Sequence, residues 1–147
     1  MRREDKWFLG GTCAGSKWRD ELITMLDKFG VKYFNPVVKN WTEECIAIEE
    51  DEKNNKCNCH LYVLTPDMQG TYSIAEIIHS AHLANMYGTN VDKMMFVRLD
   101  IGNRDWEKHE IKSLWAVKEL AENIGRDKVI TLTTNNVEHI FMKMIGK

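Results

Sequence analysis

Residues 61–81, LYVLTPDMQGTYSIAEIIHSA, pass from a buried strand through a polar loop into a helix. The run Leu61, Tyr62, Val63, Leu64 is short, rich in strand formers and closed by Thr65-Pro66, which suits a strand covered on both faces of a parallel sheet. Ile74, Ile77, Ile78 and Ala81 then fall at helical spacing and form one stripe that packs back on the sheet. The loop from Thr65 to Tyr72 is thereby placed at the carboxyl end of the strand, the edge at which open α/β sheets bind ligands. Glu76 falls in the first turn predicted for this helix. Ser73-x-x-Glu76 matches a capping box, with Ser73 as N-cap and the carboxylate reaching back to its backbone N–H. A carboxylate at that edge, where the positive end of the helix dipole favours negative charge, equally suits a nucleophile. The local pattern leaves both readings open.

Upstream, Trp7, Phe8 and Leu9 make a first strand ending in Gly10-Gly11. The loop GGTCAGS leads to a helix whose predicted buried stripe is Trp18, Leu22, Met25, Leu26 and Phe29, stopped by Gly30. Paired glycines and the hydroxyls of Thr12 and Ser16 suit either a tight turn or a loop that holds a phosphate or sugar. Val31 to Phe34 is the second strand, and NPVVKNW after it brings Asn35, Asn40 and Trp41 to the same edge. A Trp beside two Asn can stack on and hydrogen-bond a nucleobase, or sit in the core under a turn. Thr42 is the expected cap of an acidic helix carrying Ile46 and Ile48, with the charge run Glu49 to Lys53 read as a solvated face.

Downstream, Met94 to Leu99 is a fourth strand with Asp100, Asn103 and Arg104 at its end. A helix with stripe Ile111, Leu114, Trp115, Leu120 and Ile124 follows, stopped by Gly125. Val129 to Leu132 is the last strand, and Thr134 is the expected cap of a helix presenting Val137, Ile140, Phe141 and Met144 on one face. Strands alternating with helices in this way predict a three-layer α/β domain over 1–147, flavodoxin-like or Rossmann-like. Its five-stranded parallel sheet takes the order 2-1-3-4-5, with helices on both faces.

At 147 residues, 44% of them hydrophobic, the chain suits one domain with a sizeable core. A net charge of −2 with mixed signs argues against nucleic acid as partner. No stretch approaches the ~18 apolar residues of a membrane span, and MRREDKWFLGG has no long apolar signal region, so a cytoplasmic protein is expected. The cysteines at 13, 45, 57 and 59 read as free thiols. Cys57-Asn58-Cys59-His60 invites a metal but lacks a spaced second pair, and Glu76-x-x-His79 lacks the second half of a di-iron site. No metal and no cofactor are expected.

Taken together, LGGTCAGSKWRDELI, FNPVVKNW and HLYVLTPDMQGTYSIAEI resemble the nucleoside 2-deoxyribosyltransferase-like family, in its smaller, divergent branch, over roughly the first 85 residues. The resemblance implies that Glu76 is the nucleophile that attacks the anomeric carbon of a nucleoside to give a glycosyl-enzyme. It also implies a homo-oligomer, at least a dimer, whose subunits complete each other's sites. Trp7 and Phe8 stand where relatives carry a Tyr, Gly70 where many have Asp or Ser, and Asn58 where many have Asp. Asp67, Tyr72 and Ser73 are the residues near Glu76 that can take over the missing work. Two functions follow as expectations. One is an enzyme cleaving or exchanging an N-glycosidic bond, with Glu76, Asp67 and Tyr72 catalytic and Gly10, Gly11, Thr12, Ser16, Asn35, Trp41, Asn58, Gly70 and Ser73 around a nucleoside or nucleotide. The other is a non-catalytic module binding a nucleotide or nucleotide-derived signal in the same pocket.

Overall fold

The computed structural model describes residues 4–13, 16–100 and 105–146. Its strands are β1 (Lys6–Gly11), β2 (Lys32–Phe34), β3 (Cys59–Leu64), β4 (Lys93–Leu99) and β5 (Val129–Thr134). They form one sheet in the order β2-β1-β3-β4-β5, and every neighbouring pair is parallel. The helices are α1 (Trp18–Lys28), α2 (Glu44–Asp51), α3 (Tyr72–Asn85), α4 (Lys108–Gly125) and α5 (Val137–Met144), with a π-helical turn Glu52–Lys56 continuing α2. The expected fold is therefore the observed one. Among the described residues no helix is long and apolar enough to cross a membrane. Asn103 and Arg104, expected beyond β4, lie outside the described residues.

Side-chain alternation along the strands divides the core into two layers. Trp7 and Leu9 of β1, with Cys59, Leu61 and Val63 of β3, pack with Leu22 and Leu26 of α1 and with Ile140, Phe141 and Met144 of α5. Phe8 of β1, with Tyr62 and Leu64 of β3, packs on the other face with Ile77 and Ala81 of α3 and Leu114 and Ala121 of α4. β3 is buried at all six positions, as its uninterrupted apolar run requires at the centre of a parallel sheet.

Helix faces depart from expectation more than strands do. On α4 the buried positions are Leu114, Ala121 and Gly125, with Val117 and Ile124 packed beside them, whereas Ile111, Trp115 and Leu120 are exposed. On α1 Phe29 is exposed, its ring lying 5.1 Å from that of Phe141. α2 has no buried residue, and both Ile46 and Ile48 face outward. Ile46 and Ile48 are two apart and cannot share a helical face. Two expected caps also move. Glu43, not Thr42, precedes α2, and Asn136 caps α5, its Oδ1 accepting from the His139 N–H at 2.9 Å, while Thr134 closes β5.

The glycines ending β1 answer to β3. A Cβ on Gly10 would meet the Tyr62 ring at 2.5 Å, and one on Gly11 would run into the Val63 backbone. Gly11 also has φ of +117°, a conformation that other residues adopt only under strain. We expect Gly11→Ala to cost more than about 2 kcal/mol of unfolding free energy. Gly70→Ala, whose Cβ would meet nothing within 4 Å, is expected to change stability by less than about 0.5 kcal/mol. Urea midpoints at constant slope measure both.

Candidate active site

The carboxyl ends of β1 and β3 open into a cavity of about 500 Å³. Gly10, Gly11, Thr12, Trp41, Gly70, Tyr72, Ser73 and Glu76 border it, and so do Arg19, Glu49 and the apolar segment Pro36, Val37, Val38. Thr12 ties two of its walls together: its N–H donates to the Val63 carbonyl at 2.9 Å, and its hydroxyl accepts the Thr65 N–H at 3.0 Å. A second cavity, of about 410 Å³ between Glu4, Trp7, Lys93 and Met144, lies at the opposite end of the sheet.

Four expected site residues do not border the first cavity. Asn35 turns its Oδ1 to the Val37 N–H at 3.1 Å and so shapes the β2–α2 segment from outside. Asp67 and Ser16 lie in the two loops but off the cavity surface. Asn58 precedes β3, at the amino edge of the sheet. It is buried there, accepting from the Lys6 N–H at 2.8 Å and donating to Asp5 and Asp92 at 3.0 Å each. An amide suits that position because it can donate to two carboxylates while accepting a backbone N–H.

Glu76 is the cavity's most buried carboxylate, at 8% exposure, and it is not a helix cap. α3 starts at Tyr72 after Thr71, without a side-chain capping bond, so Glu76 is the fifth helical residue and stands in the second turn. The capping-box reading fails because the Thr71 carbonyl already takes the Ile74 N–H at 3.0 Å, opening the helix two residues too early for Ser73 to be its cap. The Glu76 side chain instead meets Lys53, Nζ to Oε2 at 3.3 Å, and Lys53 is only 5% exposed.

Lys53 was the unexpected partner, because the charge run around it read as solvated. α2 and the π-helical turn place Cys45, Glu49, Glu52 and Lys53 inward, a polar stripe at helical spacing. The π-helical turn closes with the Cys57 N–H donating to the Glu52 carbonyl at 2.7 Å. Its inner side is anchored by His60, whose Nε2 lies 2.6 Å from the Lys53 carbonyl. A carbonyl can only accept, so Nε2 carries the proton. Nδ1 of the neutral ring then accepts from the Ser80 hydroxyl at 2.7 Å, and Ser80 accepts from Tyr62 at 2.8 Å. Both His60 nitrogens are thus used, and strand alternation sends Cys59 to the opposite face, so these residues do not converge on a metal. Cys57 and Cys59 are both pushed up to about 12 by burial first, then by Glu52 and Asp5 respectively.

Arg19 is the second buried cation. Nε donates to the Leu9 carbonyl at 3.0 Å, Nη1 to Thr12 at 2.7 Å and Nη2 to Gly11 at 3.2 Å, so the guanidinium closes off the carbonyls at the end of β1. Burial lowers its pKa, against the raising influence of Cys13, Glu49 and Glu76. Glu49 is held above the ordinary carboxylate value by burial first and by the charge of Glu76, against the pull of Lys53 and Arg19. The site therefore sets two carboxylates against two cations under an aromatic rim, with Trp41 60% and Tyr72 69% exposed.

Burial lowers His60 from 6.5 to about 4, the Lys53 charge adding to the effect and the bond to the Lys53 carbonyl opposing it. Between those values the unfolded chain binds a proton that the folded one refuses, so folded stability falls as pH falls through this window. The stability difference between the parent and His60→Gln is expected to narrow by about 3 kcal/mol from pH 7 to pH 4, read by urea unfolding at each pH.

No curated protein matches the chain. The model of the family described as nucleoside 2-deoxyribosyltransferase like matches residues 5–92. That span runs from the start of β1 to just before β4 and takes in every residue that borders the cavity. Matched over more than half of its length, and on the part that builds the site, this chain belongs to the nucleoside 2-deoxyribosyltransferase-like family.

Proposed function

We propose that the protein cleaves or exchanges the N-glycosidic bond of a nucleoside or nucleotide through a covalent glycosyl-enzyme on Glu76. The observation that carries this reading is a carboxylate buried in the cavity of a family-matched domain, with the Lys53 ammonium as its fixed countercharge. In the first half-reaction a Glu76 oxygen bonds to the anomeric carbon as the bond to the base breaks. In the second, water or an acceptor base takes the sugar and restores the carboxylate. Trp41 and Tyr72 offer aromatic faces at the mouth for a base, and Ser73 and the Gly10-Gly11 edge offer polar groups to the sugar or phosphate.

A second reading, a module that binds a nucleotide without turning it over, has its own support. Trp7 and Phe8 are packed into opposite core layers and bring no hydroxyl to Glu76, Gly70 brings no side chain, and Asn58 is committed elsewhere. Incubation with a panel of nucleosides and nucleotides, followed by chromatography for freed base, separates the readings. Base release supports the enzyme, and binding without release supports the module.

We further propose a homodimer, because Trp41 and Tyr72 at the cavity mouth and Ile46 and Ile48 on α2 leave exposed apolar surface. Light scattering at micromolar concentration is expected to report a dimer; a monomer removes this part of the proposal.

Glu76→Gln is expected to abolish base release, since an amide does not attack the anomeric carbon. It also leaves Lys53 buried without a counter-ion, at a cost of about 3 kcal/mol in stability. Adding Lys53→Met removes that stranded charge and is expected to restore most of the stability with no return of activity. Release by Glu76→Gln at the parental rate would refute the nucleophile.

A further inference from the structure

We propose that Glu49, on the α2 wall of the cavity, is the proton donor to the departing base and then the base that activates the acceptor. The assignment rests on the reading of Glu76 as nucleophile. Glu49 borders the same cavity as Glu76 and is half-buried, and among the described residues its carboxyl makes no hydrogen bond or ion pair. Lys53 and Arg19, by contrast, are committed to Glu76 and to the β1 carbonyls. One helical turn separates Glu49 from Lys53, so the stripe that carries the countercharge of Glu76 also brings a second carboxyl to the cavity wall. Asp67, the acid expected from the sequence, does not border this cavity.

The electrostatic setting suits the role. The groups that act on Glu49 are Glu76 of α3, Lys53 of the π-helical turn, Arg19 of α1 and Glu50 of its own helix, and Glu49 in turn acts on Tyr62 of β3. Burial and the charge of Glu76 raise its pKa above the ordinary carboxylate value, the direction that suits a proton donor.

The proton balance closes over the two half-reactions. Glu76 forms a bond to the anomeric carbon while the C–N bond breaks; its electron pair goes to the base nitrogen, which takes the proton from Glu49. The Glu49 carboxylate then removes a proton from water or from an acceptor base as that group bonds to the anomeric carbon. The ester electron pair returns to Glu76, and both residues end as they began.

Leaving-group chemistry tests the assignment. The probes are natural nucleosides and the p-nitrophenyl glycosides of ribofuranose and 2-deoxyribofuranose, whose nitrophenolate departs without a proton. In Glu49→Gln, and in Glu49→Ala as a second variant, base release from nucleosides is expected to fall by about 100-fold or more. The pre-steady-state burst of nitrophenolate is expected to stay within about 5-fold of the parent, with steady turnover restored by azide, which attacks without a base catalyst. Glu76→Gln shows neither burst nor azide rescue. The alkaline limb of the parental kcat/KM profile on nucleosides disappears in Glu49→Gln. Equal loss on both substrate types, or no loss on either, overturns the role of Glu49 while leaving Glu76 in place. A parent that releases neither base nor nitrophenolate, although it binds nucleosides, removes both assignments at once.

Discussion

The site depends on a charge pair taken out of water. Lys53 and Glu76 face each other at 3.3 Å, both nearly inaccessible, and neither could be buried alone at tolerable cost. Several features of the chain serve that pairing. The π-helical turn after α2 carries Lys53 inward, and the His60–Ser80–Tyr62 chain fixes the turn's backbone from β3 and α3. π-helical turns are frequent at functional sites because they re-aim side chains at the expense of regular hydrogen bonding. Here the re-aimed side chain is the countercharge of the carboxylate in the cavity.

The second constraint is the close approach of β1 to β3. With side chains absent at Gly10 and Gly11, the Tyr62 ring and the Val63 backbone occupy the space a Cβ would need. Glycine at these positions is therefore explained by strand packing, and the proximity of the backbone to the cavity follows from it. Arg19 completes the arrangement by donating to the carbonyls of Leu9, Gly11 and Thr12. A guanidinium suits this task because its fork of donors serves several acceptors at once.

Helix α2 connects fold and function. Ile46 and Ile48 are exposed on its two flanks, while Cys45, Glu49, Glu52 and Lys53 turn inward, so that polar rather than apolar side chains face the body of the domain. A helix built this way gains little from hydrophobic burial on the body of its own domain. What it supplies is a charged wall to the cavity and apolar surface outside. The two carboxylates differ accordingly: Glu76 is ion-paired and deeply set, while Glu49 is half-buried and has no ion-pair partner among the described residues.

The sequence by itself determined the sheet, its order and the edge at which the site lies, because strand signals are local. Apolar runs such as 61–64 and 94–99, closed by turn residues and separated by helical spacing, admit few right-handed parallel arrangements. It also singled out Glu76, Trp41, Tyr72 and the β1 glycines, which the fold brings to one cavity. Only the tertiary structure decided which faces of α2 and α4 are buried, since both carry apolar residues on more than one side. It alone paired Glu76 with Lys53, set Arg19 on the β1 carbonyls and moved Asn58 and Asp67 off the site. Residues 53 and 76 lie on separate elements, and no local pattern encodes a contact across them. The spacing Glu49-x-x-x-Lys53 was visible throughout, but the same spacing on a solvated helix is commonplace. Its meaning depends on the burial that the sheet and the π-helical turn impose.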